Sequence, residues 1–323
     1  VTPRSFVISA SCVLNLGLKP IFADVDLNGN LSIEGIKKFY NKNVKALIVV
    51  HLNGLPCDLE PILNFAKEKN FFLIEDCSQA HGAIYKGKKV GSFGDISTWS
   101  FCQDKIISTG GEGGMVSTNN RKLWQKIWSL KDHGKNYESV FNKKHKIGFR
   151  WVHDNIGSNY RMTEMQATIG REQLKLLDKQ IKRRNFIAKL YLTKLKNYYK
   201  KNNIFKRPNF KCDTCPLKQE KKKCDRCVHA YYRLNLFINK NKINQSKLIN
   251  QLNKNNIDCH VGSCPEIYRE KVFKKFKLYP KKKLSNAKIL GKTSIALPIN
   301  PFKSLTKINL EINSLKKVLN KYL

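Results

Sequence analysis

At 323 residues with 41% hydrophobic content, the chain can bury a large core, which excludes wholesale disorder. Its formal charge of +37 suggests nucleic acid until it is located: residues 1–120 hold 12 Lys/Arg against 11 Asp/Glu, so nearly all the excess lies beyond them. No apolar run approaches the roughly 20 residues that cross a bilayer, and no signal-peptide layout opens the chain, so a cytoplasmic protein without a membrane partner is expected. Ten scattered cysteines read as reduced thiols or metal ligands rather than a disulfide framework.

The first 120 residues alternate short β-branched and aromatic runs, KPIFADVD, VKALIVVH and NFFLIEDC, with helical segments near Ser32–Tyr40 and Leu59–Lys69. That alternation predicts an α/β fold, a mainly parallel sheet flanked by helices. Each run ends in polar residues: Asp24 and Asp26, His51, then Glu75 and Asp76. The carboxyl ends of parallel strands are where such sheets place ligands, so these positions are candidates by location. A helix over Arg121–Lys131 leads into a polar stretch, His133–Trp151.

From about Met162 a long amphipathic segment carries Ile169, Leu174, Leu177 and Ile181 at helical spacing and is expected to bridge two domains. The tail reads as a smaller C-terminal α+β domain, with a strand in HAYYRLNLFI and helices over Gln245–Asn253, Leu284–Lys292 and Leu310–Tyr322. The division expected is a large domain over 1–160, a bridging helix over 161–200 and a small domain over 201–323. The basic excess sits there as lysine mixed with asparagine, in KNYYKKNN and NKNKINQSKLINQLNKNN. Base-specific readers lean on arginine for bidentate contacts, so this composition reads as a solvated surface.

One lysine differs from the rest. In SFCQDKIISTGGEGG, Lys105 follows Ser100 by five residues and precedes a glycine-rich turn, in a run with few charges. IEDCSQAHGA places Asp76 at a strand end with Gln79 three residues on, so Asp76, Gln79, Ser100 and Lys105 converge at one sheet edge. A lysine for a Schiff base, a carboxylate for a ring nitrogen, and hydroxyl and amide donors for a phosphate and a ring oxygen are what pyridoxal 5'-phosphate needs. His51 and His81 lie in the same segments and read as satisfied structural histidines. The glycines of Gly110–Gly114 look like a phosphate cradle on composition alone.

The chain resembles the DegT/DnrJ/EryC1/StrS family of sugar aminotransferases, through TPRSFVISASCVLNLGLKPIFADVD, VVHLNGLPCDLEPI, IEDCSQAHGA, VGSFGDISTWSF, DKIISTGGEGGMVSTN and NYRMTEMQATIG in that order. The resemblance implies fold type I, pyridoxal phosphate as cofactor, and transfer of an amino group, from L-glutamate, to a nucleotide-diphosphate-linked keto sugar destined for surface polysaccharide. It implies that Lys105 is the Schiff-base lysine and the base of the proton shift, that Asp76 pairs with the pyridinium nitrogen, and that Gln79 reaches the ring oxygen. Ser100 would hold the phosphate, Phe6 would stack on the ring, and Asn159 would reach the phosphate of a neighbouring subunit, which implies a homodimer with shared sites. Gly110–Gly114 becomes the turn into the next strand. Sugar dehydratases of the same family are expected to carry histidine where Lys105 stands.

The chain also departs from the family. A helix opening on Gly-Thr or Ser-Thr, which holds the cofactor phosphate, precedes in the family the segment that Val1 onward matches. The sequence is therefore expected to be a fragment that grips the cofactor weakly when alone. NIDCHVGSCPEIY differs from the HYP-type loop that shapes the sugar pocket. In KCDTCPLKQEKKKCDRCVHAYY, within an insert at 211–228, Cys212, Cys215, Cys224 and Cys227 have the paired spacing of a four-thiolate Zn²⁺ site, closed to substrate and therefore structural. The competing function is a zinc-bearing nucleic-acid binder, with Tyr231 and Tyr232 for base stacking. The near-neutral first part and the lysine constellation speak against it.

Overall fold

The computed structural model describes residues 1–200, 204–206, 227–262 and 264–323. Helices α1 (Ile8–Leu14) and α2 (Ile33–Phe39) precede strand β1 (Ala46–Val50), helix α3 (Leu59–Lys69) and strand β2 (Phe72–Asp76). A short hairpin, β3 (Ile84–Tyr85) and β4 (Lys88–Lys89), leads to β5 (Ile96–Ser100) and β6 (Gly114–Ser117). The main sheet has the order β1-β2-β5-β6, with β1, β2 and β5 parallel and β6 antiparallel. Register sets Val50 opposite Asp76, Asp76 opposite Thr98, and Ser100 opposite Gly114, so the carboxyl ends of the parallel strands form one edge.

Helices α4 (Arg121–Lys131) and α5 (Tyr137–Phe141) follow, then α6 (Glu164–Lys194) and α7 (Lys196–Lys200). A reciprocal cap starts α6: Thr163 accepts from the Gln166 amide, and Gln166 Oε1 accepts from the Thr163 amide. The C-terminal sheet, β7 (Phe205–Lys206), β8 (Arg233–Ile238) and β9 (Ser294–Pro298), is packed with α8 (Gln245–Lys254), α9 (Lys271–Lys275), α10 (Ser285–Gly291) and α11 (Leu305–Asn320). Helix α11 begins five residues before the expected Leu310, because the Ser304 side chain accepts from the Lys307 amide and fixes the start there.

Two large apolar clusters lie on either side of α6. Its first half puts Leu177 and Ile181 against the main sheet, and its second half puts Ile187, Ala188 and Tyr191 against β8, β9 and α11. Arg184 lies between them, donating to the carbonyls of Tyr231 and Ile299.

KPIFADVD does not form the expected strand. Its backbone meets Val1, through the Ala23 amide to Val1 O (3.1 Å) and the Val1 amino group to Ile21 O (2.8 Å), and a single bridge joins Val25 to Leu31 across the turn at Asp26. These contacts make no ladder of strand length, although Phe22, Ala23 and Val25 are buried as β-branched and aromatic residues should be. Among the described residues no helix is long and apolar enough to cross a membrane.

Candidate active site

Successive residues of a strand face opposite sides of its sheet, and β2 shows what that does to two adjacent carboxylates. Glu75 points into the core, where Oε2 accepts from His51 Nε2 (3.1 Å) and the Gly91 amide (2.8 Å), and Oε1 accepts from the amides of Phe93 (2.8 Å) and Gly94 (2.7 Å). Burial alone would push its carboxyl up, but these donors together hold it below the ordinary value. His51 Nδ1 accepts from the Cys57 amide (3.0 Å), so Nε2 carries the proton it gives to Glu75. With Cys77 this pair forms a buried His-Glu-Cys group. Both imidazole nitrogens and both carboxylate oxygens are already engaged, and burial drives the Cys77 thiol far up, so the group is a structural network rather than a metal site. Asp24 and Asp26 are structural as well: Asp24 accepts from the Asn286 and Ala287 amides that open α10, and Asp26 from the amides of its own turn.

Asp76 faces the other way, toward the edge. Its Oδ2 accepts from Ser9 Oγ (3.0 Å) on α1, and its Oδ1 from the Ser78 amide (3.1 Å). A carboxylate has about four acceptor sites, so capacity remains for a protonated ring nitrogen. The same contact brings α1 to the edge, and Phe6, just before that helix, stands 68% exposed. Gln79 Oε1 accepts from the Asn53 amide at 2.7 Å, which identifies Nε2 as the donating end of its amide. A ring oxygen requires a donor of that kind. Ser100 ends β5, its Oγ 3.4 Å from the Cys102 amide. The turn behind Lys105 needs glycine: a Cβ at Gly113 would lie 2.2 Å from Thr109 Oγ1.

Lys105 itself is half-buried and in contact on two sides. Its Nζ donates to Asp104 Oδ1 (3.0 Å) and lies 5.3 Å from the centre of the Tyr232 ring. The Tyr232 hydroxyl donates to Asp104 Oδ2, and Arg233 Nη2 stands 3.6 Å from that oxygen. Burial pulls the Lys105 ammonium toward losing its proton, yet the phenol, Asp104 and Cys102 together hold it above the ordinary lysine value. Ser9, Asn53 and Asp104 are not marked by the sequence as site residues, and Tyr232 is marked there only as a base-stacking residue. Asp104 adjoins Lys105 and could have been marked there, whereas the others are joined only by the fold.

His81 lies beneath this edge, its ring against Trp99 and Phe101. Its pKa falls to about 4, because burial disfavours the imidazolium, outweighing the Ser100 backbone that favours it, and the Lys105 and Arg184 charges add to the fall. The folded value is depressed below the unfolded one, so the contribution is fully present above about pH 6.5 and is lost as the pH falls toward 4. This is about 3 kcal/mol of stability. In urea titrations at pH 7 and pH 4.5, His81→Leu should lose less stability on acidification than the parent chain; His229, with a folded pKa of about 3, keeps part of the slope in both. Equal losses would place the acid sensitivity elsewhere.

Asn159 is exposed and lies apart from these groups: it bridges to Asp132, and its Oδ1 accepts from Arg161 Nε (3.0 Å). Tyr231 and Tyr232, the stacking candidates of the nucleic-acid reading, are 8% and 7% exposed, which removes them as platforms for bases. Cys212, Cys215 and Cys224 lie outside the described residues. Cys227 lies within them, its Sγ accepting from the Lys86 amide at 3.4 Å.

The model of the DegT/DnrJ/EryC1/StrS aminotransferase family matches residues 1–311. The chain belongs to that family. An uncharacterized protein of Methanocaldococcus jannaschii is 33% identical over 99% of this chain and 78% of its own length. GDP-perosamine synthase of Escherichia coli is 41% identical over 59% of this chain and 50% of its own, so the match spans about half of that relative. The X-ray structure of the aminotransferase from Psychrobacter cryohalolentis superposes with a TM-score of 0.92 at 39% identity, covering 100% of this chain and 80% of that one.

Proposed function

We propose that the protein transfers an amino group, from L-glutamate, to a nucleotide-diphosphate-linked keto sugar, using pyridoxal 5'-phosphate held at the edge formed by Asp76, Gln79, Ser100 and Lys105. The observation that carries this reading is the donor set itself: an oriented carboxylate, an amide whose oxygen is held by the Asn53 amide, a strand-end hydroxyl and a half-buried lysine on adjoining strand ends and loops. Similarity to a GDP-perosamine synthase supports the choice of a nucleotide-linked sugar as substrate. The family also supports reading the two apolar clusters as a large and a small domain joined by α6.

When bound, the cofactor supplies an electron sink for the carbanion formed as the amino group moves. The chain's own residues do the rest. Asp76 holds the ring nitrogen in its protonated form, since a carboxylate partner favours the charged species. Gln79 Nε2 would donate to the ring oxygen, the Ser100 hydroxyl would donate to the phosphate, and Phe6 would cover one ring face. The Lys105 amine would be the group that holds the cofactor and accepts or returns a proton.

A second copy of the chain completes the site. Phe149 (77%), Trp151 (81%) and Ile156 (95%) are exposed apolar side chains on the loop that also carries Asn159, a surface costly to leave in water. On this reading Asn159 reaches the phosphate of the partner's site.

The test of function is incubation with pyridoxal phosphate, glutamate and a panel of nucleotide-linked keto sugars, followed by mass spectrometry of the sugar product. An amino sugar from at least one substrate is expected. Deoxygenated sugar without nitrogen would identify a dehydratase instead.

Structural zinc in the insert belongs to the same proposal. The Lys86 amide donating to Cys227 Sγ is the kind of contact that steadies a thiolate ligand, and Val228 is tied to Ile84 by paired backbone bonds of 2.8 and 2.9 Å. Protein purified without chelator should contain about one zinc per chain, lost when Cys212 and Cys215 are both replaced by serine. A metal-free parent protein removes the site.

A further inference from the structure

We propose that Tyr232, on the approach to β8, is a positioning residue for Lys105, holding the lysine amine in place through its ring face and through Asp104. This inference rests on Lys105 being the lysine that carries the cofactor. Three contacts make the clamp. The Lys105 Nζ lies 5.3 Å from the ring centre, within cation–π range. Its Oδ1 partner on Asp104 is 3.0 Å away. The other oxygen of that carboxylate accepts from the Tyr232 hydroxyl, so one aromatic side chain touches the amine directly and also fixes its counter-ion.

Tyr232 is well placed to be rigid. It is 7% exposed, packed into the first apolar cluster, and its hydroxyl accepts from Arg233 Nη2 at 3.3 Å. Asp104, by contrast, sits on an exposed turn whose side chain would otherwise sample several rotamers. The clamp therefore transfers order from a buried ring to a surface carboxylate and from there to the amine.

The charged and titratable groups around Lys105 come from several elements. Asp104 and Cys102 belong to its own loop, Tyr232 and Arg233 to the start of β8, His81 to the turn after β2, and Arg184 of α6 faces Tyr232. Burial opposes the ammonium; the phenol, the Asp104 carboxylate and Cys102 favour it. A lysine must give up a proton before its nitrogen can attack a carbonyl, so the clamp sets both where the amine points and how readily it is freed.

The test uses the cofactor-free chain and reads Lys105 directly: competitive acetylation with acetic anhydride across pH, quantified on the Lys105 peptide by mass spectrometry. Tyr232→Leu removes ring face and hydroxyl, and Asp104→Asn removes the counter-charge. Each should speed labelling of Lys105 near pH 9 by about three- to tenfold, as its pH midpoint falls, with other lysines unchanged. Tyr232→Phe, which keeps the ring, should change it less than Tyr232→Leu. Parent-like labelling in Tyr232→Leu overturns the proposal. If that variant does not fold, the surface substitution Asp104→Asn decides: parent-like labelling there overturns it equally. Failure of the underlying reading looks different, since the parent protein would then form no visible absorption band with pyridoxal phosphate while the labelling shifts persist.

Discussion

Lys105→Ala is expected to lose covalent retention of pyridoxal phosphate and to turn over about 10⁴-fold more slowly than the parent. The reason is that two roles end together: the methyl group can neither hold the cofactor nor carry a proton. Asp76 and Gln79 are fixed by Ser9, Ser78 and Asn53 rather than by the lysine, so the rest of the edge should stand unchanged in the variant. Borohydride treatment of the loaded parent followed by peptide mapping should find the adduct on Lys105, and none in the variant. Turnover within tenfold of the parent would remove the lysine from the reaction.

The largest stability effect is expected at Glu75. Glu75→Ala leaves the amides of Gly91, Phe93 and Gly94, and the His51 ring, without their acceptor in the core. Removing one partner of a buried hydrogen-bonded pair costs about 3–5 kcal/mol, a large part of a typical domain's total. Chemical denaturation should show the loss at pH 7, with Glu75→Gln in between because one carbonyl oxygen remains. Because the Glu75 carboxyl is held below its ordinary 4.5 in the fold, its contribution is full above that pH and is lost as the pH falls through the depressed value. The difference between parent and Glu75→Ala should therefore narrow below pH 4.5. A loss under about 1 kcal/mol at pH 7 would mean the 91–94 loop finds other partners.

Much of the site was legible because parallel strands advertise their ends. Asp76 and Ser100 close apolar runs, and strand register alone makes them neighbours of the same edge. Alternation alone predicts that Glu75 and Asp76 part company, not which is buried; the resemblance, not the pattern, assigns the edge to Asp76. KPIFADVD was misread for a related reason. Its composition suits a pleated, half-buried position, but a strand also needs a partner of matching length, and propensity carries no information about that. The Tyr232 contact was illegible for a third reason: it joins residues 128 positions apart, and no local pattern encodes such a distance.

That separation also has a bearing on biosynthesis. The loop bearing Lys105 leaves the ribosome long before the segment that supplies Tyr232, and at roughly 5–20 residues per second the interval of 128 residues lasts on the order of ten seconds. Throughout it the main sheet can form, since β1, β2, β5 and β6 are all complete by Ser117. During that interval the Lys105 amine has its Asp104 counter-ion, which is already translated, but not yet the phenol that orders it.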